Sequence, residues 1–228
     1  MVGGAVRTLT ICAVLFVLAS TPAAAQQNQP PATGVNAKWT PLFNGEDLTG
    51  WKVVGPERWT VDHGTILGEG IHGQDGFLKT EKKYRNFHAF LRFKCETPNN
   101  SGFFYHSDIE EDISKIRFIQ VEISSSIGGH TGGLHGDNIS EADGRGWIVW
   151  PAPELETVLR PFDWNEMLVQ VEGNRIRTHL NGVQMIDFTY PDPRNTDGIV
   201  ALQIHPGKPS RIRFKDIWIR DLDERRPE

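Results

Sequence analysis

The sequence has little cysteine, no excess of positive charge and no apolar run longer than the one near its start, and each shortage excludes a class of protein. Cys12 lies in that first run, so Cys95 is alone in the rest of the 228 residues and no internal disulfide is expected. Acidic residues outnumber basic ones, 29 to 24, which argues against nucleic acid or an anionic membrane surface as the partner. Stability must therefore come from a buried core.

The first 25 residues have the composition of a secretory signal peptide. Arg7 precedes an apolar run over 9–19, and the small residues 23–25 come directly before Gln26, where cleavage is expected. A transmembrane helix needs about 20 apolar residues, and this run has roughly half that length. We therefore expect an exported protein, periplasmic or extracellular, with no membrane span in its mature form.

The rest of the chain is predicted to contain a flexible linker and one all-β domain. Residues 26–35 combine Gln and Pro with almost nothing apolar, which is typical of a linker. Residues 36–224 show short apolar stretches between turn residues, without helical spacing, and about ten to twelve strands predict two antiparallel sheets packed as a sandwich. Residues 125–163 are rich in Gly, Asp and Pro and are predicted as one long loop with at most one short strand.

Alternation of apolar and polar residues assigns a pair of polar side chains to the outward face of one strand. Ile119, Val121 and Ile123 are predicted to face the core. Gln120 and Glu122 then point outward together, where a solvated strand would more often carry Lys, Thr or Ser. These two residues are the first candidates for a functional site.

Further candidates follow from the same reasoning and from the residue types that bind sugars or transfer protons. Gln203 and His205 share the outward face of a second strand. Four other residues complete the predicted site: Arg92, His106, His135 and Trp147. If the sheets curve, these side chains converge on one concave surface, which is a common place for a ligand. The alternation over 88–96 also predicts that Cys95 is a buried thiol.

Familiar cofactor motifs do not occur in the sequence. His106, Glu122, His135 and His205 are residue types that bind a divalent metal ion, but no compact metal motif such as H-E-x-x-H is present. The glycine-rich GGHTGGLHG segment does not lie between a strand and a helix, as a phosphate-binding loop would. A divalent metal ion is therefore the one cofactor that stays open.

The order and spacing of several short motifs resemble the 3-keto-disaccharide hydrolase domain family. They extend over nearly the whole chain after the signal peptide: 41–45 (PLFNG), 48–51 (LTGW), 59–61 (WTV), 100–104 (NSGFF), 164–166 (WNE), 180–182 (LNG), 202–205 (LQIH) and 213–217 (RFKDI). The resemblance implies a concanavalin A-like jelly roll and the cleavage of glycosides oxidised at C3. Where many relatives have Glu-Val-Gln-Ile, this chain has Gln-Val-Glu-Ile at 120–123, so the acidic residue moves by two positions and stays on the same face.

Cleavage of a 3-keto-glycoside by elimination needs a base for the C2 proton, an acid for the leaving oxygen and a cation for the enolate. Glu122 is the candidate base, and His205 or His106 is the candidate acid. The cation could be Arg92 or a divalent metal ion. Arg92 is also assigned to substrate binding, together with the remaining candidates: Gln120, Gln203, His135 and Trp147.

Two other functions remain open at this point. The same sandwich serves lectins, so the protein could be a carbohydrate-binding module without catalysis, or an adhesion module without a sugar site. Hydrolysis of an unoxidised glycosidic bond by two carboxylates is less favoured, because Glu122 is the single acidic residue of its strand.

Overall fold

Fifteen β-strands and one 3₁₀ helix make up the part of the chain that the computed structural model describes, residues 38–110, 117–136, 146–191 and 196–224. The strands are β1 (Thr40–Pro41), β2 (Trp51–Val54), β3 (Arg58–Asp62), β4 (Thr65–Gly70), β5 (Gly76–Tyr84), β6 (Phe87–Cys95), β7 (Asn100–Asp108), β8 (Arg117–Ser124), β9 (Leu134–Gly136), β10 (Gly146–Val149), β11 (Asn165–Glu172), β12 (Arg175–Leu180), β13 (Val183–Thr189), β14 (Gly198–Ile204) and β15 (Ser210–Asp221). The predicted signal peptide, 1–25, and linker, 26–35, lie outside the described residues. The described helix is too short to cross a lipid bilayer.

The strands form two antiparallel sheets packed face to face as a jelly-roll sandwich, as the sequence predicted. One sheet has eight strands in the order β13-β12-β11-β6-β15-β4-β3, with β1 paired to β15 at its side. The other has seven strands in the order β10-β9-β8-β7-β14-β5-β2. In this second sheet β14 lies between β7 and β5, so residues from distant segments of the chain meet on one surface.

The main hydrophobic core lies between the two sheets and is built from the inward face of each strand. Ile119, Val121 and Ile123 of β8 belong to it and are almost fully buried, as the alternation predicted. Cys95 also belongs to it and is 3% exposed. Burial raises the pKa of the Cys95 thiol to about 12, so the predicted buried thiol is confirmed and is un-ionised at neutral pH.

A meander of three strands, β11 to β13, forms one edge of the eight-stranded sheet. Asn181 and Gly182 connect β12 to β13 with φ values of 50° and 85°. Positive φ at both positions is what a two-residue type I′ hairpin turn requires, and Asn-Gly adopts it with the least strain. Asn181 and Gly182 therefore form the hairpin turn between β12 and β13.

The predicted loop over 125–163 is wrong in part, because it contains two strands and a helical turn. β9 pairs with β8, and β10 pairs with β9, so both extend the seven-stranded sheet. The 3₁₀ helix covers Leu155–Val158. Strands of three and four residues are too short to show alternation, which is why the sequence pattern missed them.

Candidate functional site

A pocket of about 280 Å³ opens on the outer face of the seven-stranded sheet, where strands β5, β7, β8, β9, β10 and β14 contribute side chains. Six of the eight predicted site residues line it: Gln120, Glu122, His135, Trp147, Gln203 and His205. The structure adds Asp75, Phe77, Asn100, Phe104, Phe118 and Pro206. The predicted convergence of distant polar residues on one surface is therefore correct for these six.

Three phenylalanines show that the pocket faces away from the main core. Phe77, Phe104 and Phe118 belong to a small apolar cluster of their own. At least one sequence neighbour of each belongs to the main core instead, because successive side chains of a strand point to opposite faces. This second cluster supplies an apolar lining beside the polar groups of the pocket.

Glu122 is the buried carboxyl of the pocket, and two amide side chains hold both of its oxygens. It is 3% exposed, and on β7 it faces Gly102, which has no side chain to cover it. Asn100 donates through Nδ2 to Oε1, and Gln120 donates through Nε2 to Oε2 at 2.8 Å. Each carboxylate oxygen keeps a further lone pair, so Glu122 can still accept a proton from a ligand.

Burial raises the pKa of Glu122 from its usual 4.5 to about 8, although the hydrogen bonds from Asn100 and Gln120 act in the opposite direction. Removing a carboxylate from water disfavours its charged form, and no cation compensates for this here. Glu122 is therefore mainly protonated at pH 7 and ionised above pH 8. A carboxyl with a pKa near the working pH, placed in a cleft, is typical of a group that transfers protons.

Gln203 and Asp75 form the second polar pair of the pocket. Gln203 donates through Nε2 to Oδ1 of Asp75 at 3.0 Å. Asp75 ends a turn that Glu57 holds in place, since the buried carboxylate of Glu57 accepts hydrogen bonds from backbone N–H groups within 71–74. Burial raises the pKa of Glu57, but these backbone hydrogen bonds outweigh it and lower the pKa overall. Glu57 thus fixes the turn that presents Asp75.

Two buried amide oxygens of the pocket have no hydrogen-bond partner within the described part of the chain: Oδ1 of Asn100 and Oε1 of Gln203. Their orientation follows from the carboxylates beside them, because each amide nitrogen must donate to a carboxylate oxygen and each amide oxygen must then point elsewhere. Buried polar atoms without partners are uncommon and call for an explanation. Two acceptors in one cleft suit a ligand that carries hydroxyl groups.

Two histidines and a tryptophan line the wall and the mouth of the pocket. The His135 ring stacks on Phe118 with 6.0 Å between centroids and meets the Trp147 ring edge-on at 5.5 Å. His205 is exposed, and its Nδ1 lies 2.8 Å from the carbonyl oxygen of Pro206. A carbonyl oxygen only accepts, so Nδ1 carries the hydrogen, and Nε2 is the atom that exchanges a proton with a ligand.

His106 does not join the other predicted residues. It has φ of 47°, and the pairing register of β7 shifts between Tyr105 and the end of the strand, so the alternation stops there. Its ring lies against Phe87 and Tyr105, and Nε2 is 2.7 Å from the carbonyl oxygen of Arg85. The prediction that His106 lies near Glu122 is therefore wrong, because a β-bulge turns its side chain away.

Arg92 is also separate from the pocket. It points outward from β6 in the eight-stranded sheet, while the pocket is on the outer face of the other sheet, so the core lies between them. Its guanidinium pairs with Glu166 at 2.7 Å and with Asp216 at 2.8 Å. Alternation showed correctly that Arg92 faces outward, but it could not show which outer face.

The described lining of the pocket contains acidic side chains but no Lys or Arg. Asp75 and Glu122 are its carboxyl groups, and no Lys or Arg of the described residues lines it. The described residues also contain no group of three or more His, Cys, Asp or Glu arranged to hold a metal ion. The four predicted metal ligands therefore do not fit a metal site among these residues, since His106 is elsewhere.

Sequence reasoning missed Asn100 and Asp75, although both touch the central residues of the site. Asn100 is the first residue of the NSGFF motif at the start of β7, and Asp75 immediately precedes β5. Residues at strand ends have no alternation to assign a face. Asn100 had one usable signal: its place in a motif shared with the resembled family.

Relatives of the chain point to carbohydrate chemistry. The curated "3-keto-disaccharide hydrolase" of Bacteroides thetaiotaomicron is 32% identical over 74 residues, which are 28% of this chain and 26% of that protein. The chain thus matches about a quarter of that relative. A predicted glycosyl hydrolase of Parabacteroides distasonis is similar in structure, with a TM-score of 0.63 and 25% identity over 81% of this chain and 94% of the other.

A second solved structure shares the fold alone. A carbohydrate-binding module from Bacillus subtilis superposes with a TM-score of 0.58 at 15% identity, over 78% of this chain and 99% of the module. The family inferred from the short motifs is confirmed independently, because a family model matches residues 38–220, well over half of the chain. The protein belongs to the family of the 3-keto-alpha-glucoside-1,2-lyase-like domain.

Proposed function

We propose that the pocket binds the 3-keto-hexose unit of a glycoside and cleaves its C1–O bond by elimination, followed by hydration. The observation that carries the proposal is Glu122, a buried carboxyl held by two amides in a cleft, with a pKa of about 8. Membership of the lyase-like domain family and the two unpartnered amide oxygens support it. The ketone matters because it makes the hydrogen on the neighbouring C2 acidic.

In the proposed reaction Glu122, in its ionised form, removes the proton from C2. The electron pair of the C–H bond forms the enolate of the C3 ketone, which then re-forms the ketone, makes the C1=C2 double bond and expels the oxygen on C1. His205, in its protonated form, delivers a proton from Nε2 to that oxygen. Water then adds across C1=C2: its hydroxyl bonds to C1, its proton goes to Nε2 of His205, and Glu122 returns its proton to C2, which gives the free 3-keto sugar.

The other residues of the pocket bind and orient the sugar. Oδ1 of Asn100 and Oε1 of Gln203 accept hydrogen bonds from its hydroxyl groups. Gln120 keeps the Glu122 carboxyl in place, and Trp147 and His135 close one side of the pocket. The described lining has no Lys or Arg to stabilise the enolate, so a divalent metal ion is proposed only as a requirement to be tested by its removal.

The test is release of a chromogenic leaving group from a 3-keto-glucoside by the mature protein, with the unoxidised glucoside as the control substrate. We expect release from the keto substrate only, with kcat/KM rising as the pH passes 8, where Glu122 becomes ionised, because a chromogenic phenolate leaves without needing a proton from His205. A rate that instead falls above pH 8 would assign Glu122 the role of acid. EDTA, followed by added divalent ions, measures the metal requirement. No release from either substrate would overturn the enzymatic proposal.

A carbohydrate-binding module is the second candidate, because exposed Trp147 and neutral amides also suit binding without chemistry. Titration of sugar into the Glu122→Gln variant separates the two functions. A binding module keeps its affinity in this variant and shows no turnover in the unmodified protein. An enzyme binds the keto substrate in the variant but loses turnover.

We also propose that this reaction takes place outside the cytoplasm, in the periplasm or the medium, on the composition of residues 1–25. Expression of the full chain followed by mass spectrometry of the exported fraction tests this. The expected N-terminus is Gln26. Retention of the intact N-terminus in a cytoplasmic protein would contradict export.

A further inference from the structure

An aromatic surface continues from the pocket onto the neighbouring exterior. It consists of Trp147, Trp150 and His130, which we call the aromatic platform. Trp147 is 38% exposed and Trp150 is 53% exposed. The other five tryptophans are all less exposed than these two. Exposed large aromatic side chains next to a cleft are more often binding surfaces than packing remnants.

The rings of the platform are in mutual contact. Trp147 and Trp150 meet edge to face with 6.3 Å between centroids, and His130 lies 5.0 Å from Trp147 and 5.8 Å from Trp150. The planes of His130 and Trp150 are inclined to each other by 32°.

A buried carboxylate fixes the platform in position. Glu156, in the 3₁₀ helix, accepts a hydrogen bond from the backbone N–H of His130 at 3.0 Å and lies 2.8 Å from its Nδ1. Glu156 is buried and His130 is partly exposed. Because Nδ1 donates to the carboxylate, Nε2 is the ring atom that remains for a hydroxyl group of a ligand.

Close backbone packing adds to this rigidity. A side chain on Gly133 would approach the Cα of Trp150 to 3.1 Å and the carbonyl oxygen of Val149 to 3.0 Å. The loop that carries His130 is therefore seated directly on the backbone that carries Trp150. A preorganised surface of this kind loses little conformational entropy when it binds a ligand.

The size of the pocket shows why a ligand would extend onto this surface. Its volume of about 280 Å³ is at the lower end of small-molecule sites, which span roughly 300–1,000 Å³. That space suits one hexose ring and leaves the substituent on C1 outside. Trp147 belongs to both the pocket lining and the platform, so the path from one to the other is continuous.

We propose that the aromatic platform is a second sugar-binding subsite, in which Trp150 stacks on the ring that leaves from C1 of the keto sugar. The apolar C–H face of a pyranose packs on the indole, and Nε2 of His130 accepts a hydrogen bond from one of its hydroxyl groups. The inference rests on the proposed function for the identity of the first ring. Trp150 thereby selects a sugar as leaving group over a small alkyl group.

The test compares two keto substrates that differ only in the leaving group, a 3-keto-disaccharide and the methyl 3-keto-glucoside. Trp150→Ala is expected to raise KM about tenfold for the disaccharide and less than about twofold for the methyl glycoside, with kcat little changed. Phe162→Ala is the matched control, since Phe162 is an exposed aromatic residue outside the pocket lining and the platform. Phe162→Ala is expected to leave KM unchanged for both substrates. Equal effects of Trp150→Ala on both substrates, or no effect, would overturn the subsite.

A binding measurement separates failure of the subsite from failure of the proposed reaction. The indole N–H signals of Trp147 and Trp150 are followed by NMR while an unoxidised disaccharide or methyl glucoside is added, and Trp150→Ala assigns the signal. A Trp150 shift with the disaccharide alone supports the subsite even if no turnover is found. If keto substrates are turned over but neither this shift nor the KM effect is observed, the proposed reaction is supported and the subsite is contradicted.

Discussion

The two outer faces of the sandwich carry polar side chains at equivalent alternating positions, but they differ in how these side chains are paired. On the eight-stranded sheet, Arg92 pairs with two carboxylates, Glu166 and Asp216. Farther along the same face, Arg213 binds Glu96 at 2.6 Å and Asp62 at 2.7 Å. Charge on this face is balanced by direct ion pairs.

Around Glu122 on the seven-stranded sheet, neutral amides take the place of those cations. Glu122 is held by Asn100 and Gln120, and the amide oxygens of Asn100 and Gln203 have no partner among the described residues. An unsatisfied buried acceptor costs about 1–3 kcal/mol. These two acceptors of the pocket therefore destabilise the free protein, and a ligand with hydroxyl groups that reaches them would offset that cost.

The largest expected difference between the two faces is in activity. Glu122→Gln removes the proposed base and is expected to lower kcat/KM on a 3-keto-glucoside by about 10²–10⁴-fold. Glu166→Gln makes the same chemical change on the ion-paired face and should leave kcat/KM within about twofold. Steady-state kinetics of both variants above pH 8 measures this. Similar losses in the two variants would remove the functional distinction between the faces.

The second difference is in the pH dependence of stability. The pKa of Glu122 is about 8 in the folded state against 4.5 when unfolded, so the folded protein binds more protons between these values. Stability from this group is fully present below pH 4.5 and is lost as the pH rises to 8, by about 3 kcal/mol or more. The free energy of unfolding of Glu122→Gln, relative to the unmodified protein, should therefore rise across this window.

Urea unfolding at pH 5, 7 and 8.5 measures that difference. Comparing the two proteins cancels other titrating groups, such as His179, whose pKa is lowered by burial and which acts in the opposite direction. The carboxylates of the ion-paired face, such as Glu96, have lowered pKa values and affect stability only at more acidic pH. A difference that is constant with pH would show that Glu122 is ionised normally.

Local alternation predicted the faces of the long strands, and this accounts for most of what the sequence revealed. Gln120, Glu122 and Gln203 were assigned to outward faces because a strand repeats every two residues, whatever surrounds it. His135 and Trp147 were found as residue types, without the short strands that carry them. Which strands are neighbours depends on contacts far apart in sequence, and alternation contains no such information.

The errors have the same origin. Arg92 faces outward as predicted, but from the other sheet, because alternation separates inside from outside and cannot separate two outer faces. The prediction for His106 is wrong because this residue has φ of 47°, which interrupts the alternation of side chains along β7. Asp75 lies in a turn that Glu57 holds through backbone hydrogen bonds, and no sequence pattern marks such a contact. Which candidate residues lie together in the pocket therefore depends more on the pairing of strands far apart in sequence than on residue type.

A smaller effect is expected from a change that removes no polar group from the pocket. A Cβ on Gly102 would lie 2.5 Å from Cγ of Gln120, so Gly102→Ala should push the Gln120 side chain off Glu122. We expect kcat/KM to fall about tenfold and the activity profile to shift to higher pH, because a donor that lowers the Glu122 pKa is lost.

Gly146→Ala is the matched control for this substitution, since nothing lies within 4 Å of a Cβ built there and Gly146 belongs to the same sheet. It should leave both the rate and the pH profile unchanged. An unshifted profile in Gly102→Ala, despite a normal fold by circular dichroism, would mean that Gln120 does not control the carboxyl.

The smallest effect is expected on the ion-paired face and concerns stability alone. Arg213→Gln removes the bonds to Glu96 and Asp62, but Glu96 keeps Arg211 at 3.1 Å, so the cost should be about 1 kcal/mol. For a domain of this size that corresponds to a fall in Tm of about 2–4 °C, which 1 M salt should reduce by screening. Thermal unfolding at low and high salt, with kcat/KM measured in parallel, checks both expectations. Because the core separates Arg213 from the pocket, kcat/KM should not change, and a loss of activity without a loss of Tm would show that the two faces are coupled through the sandwich.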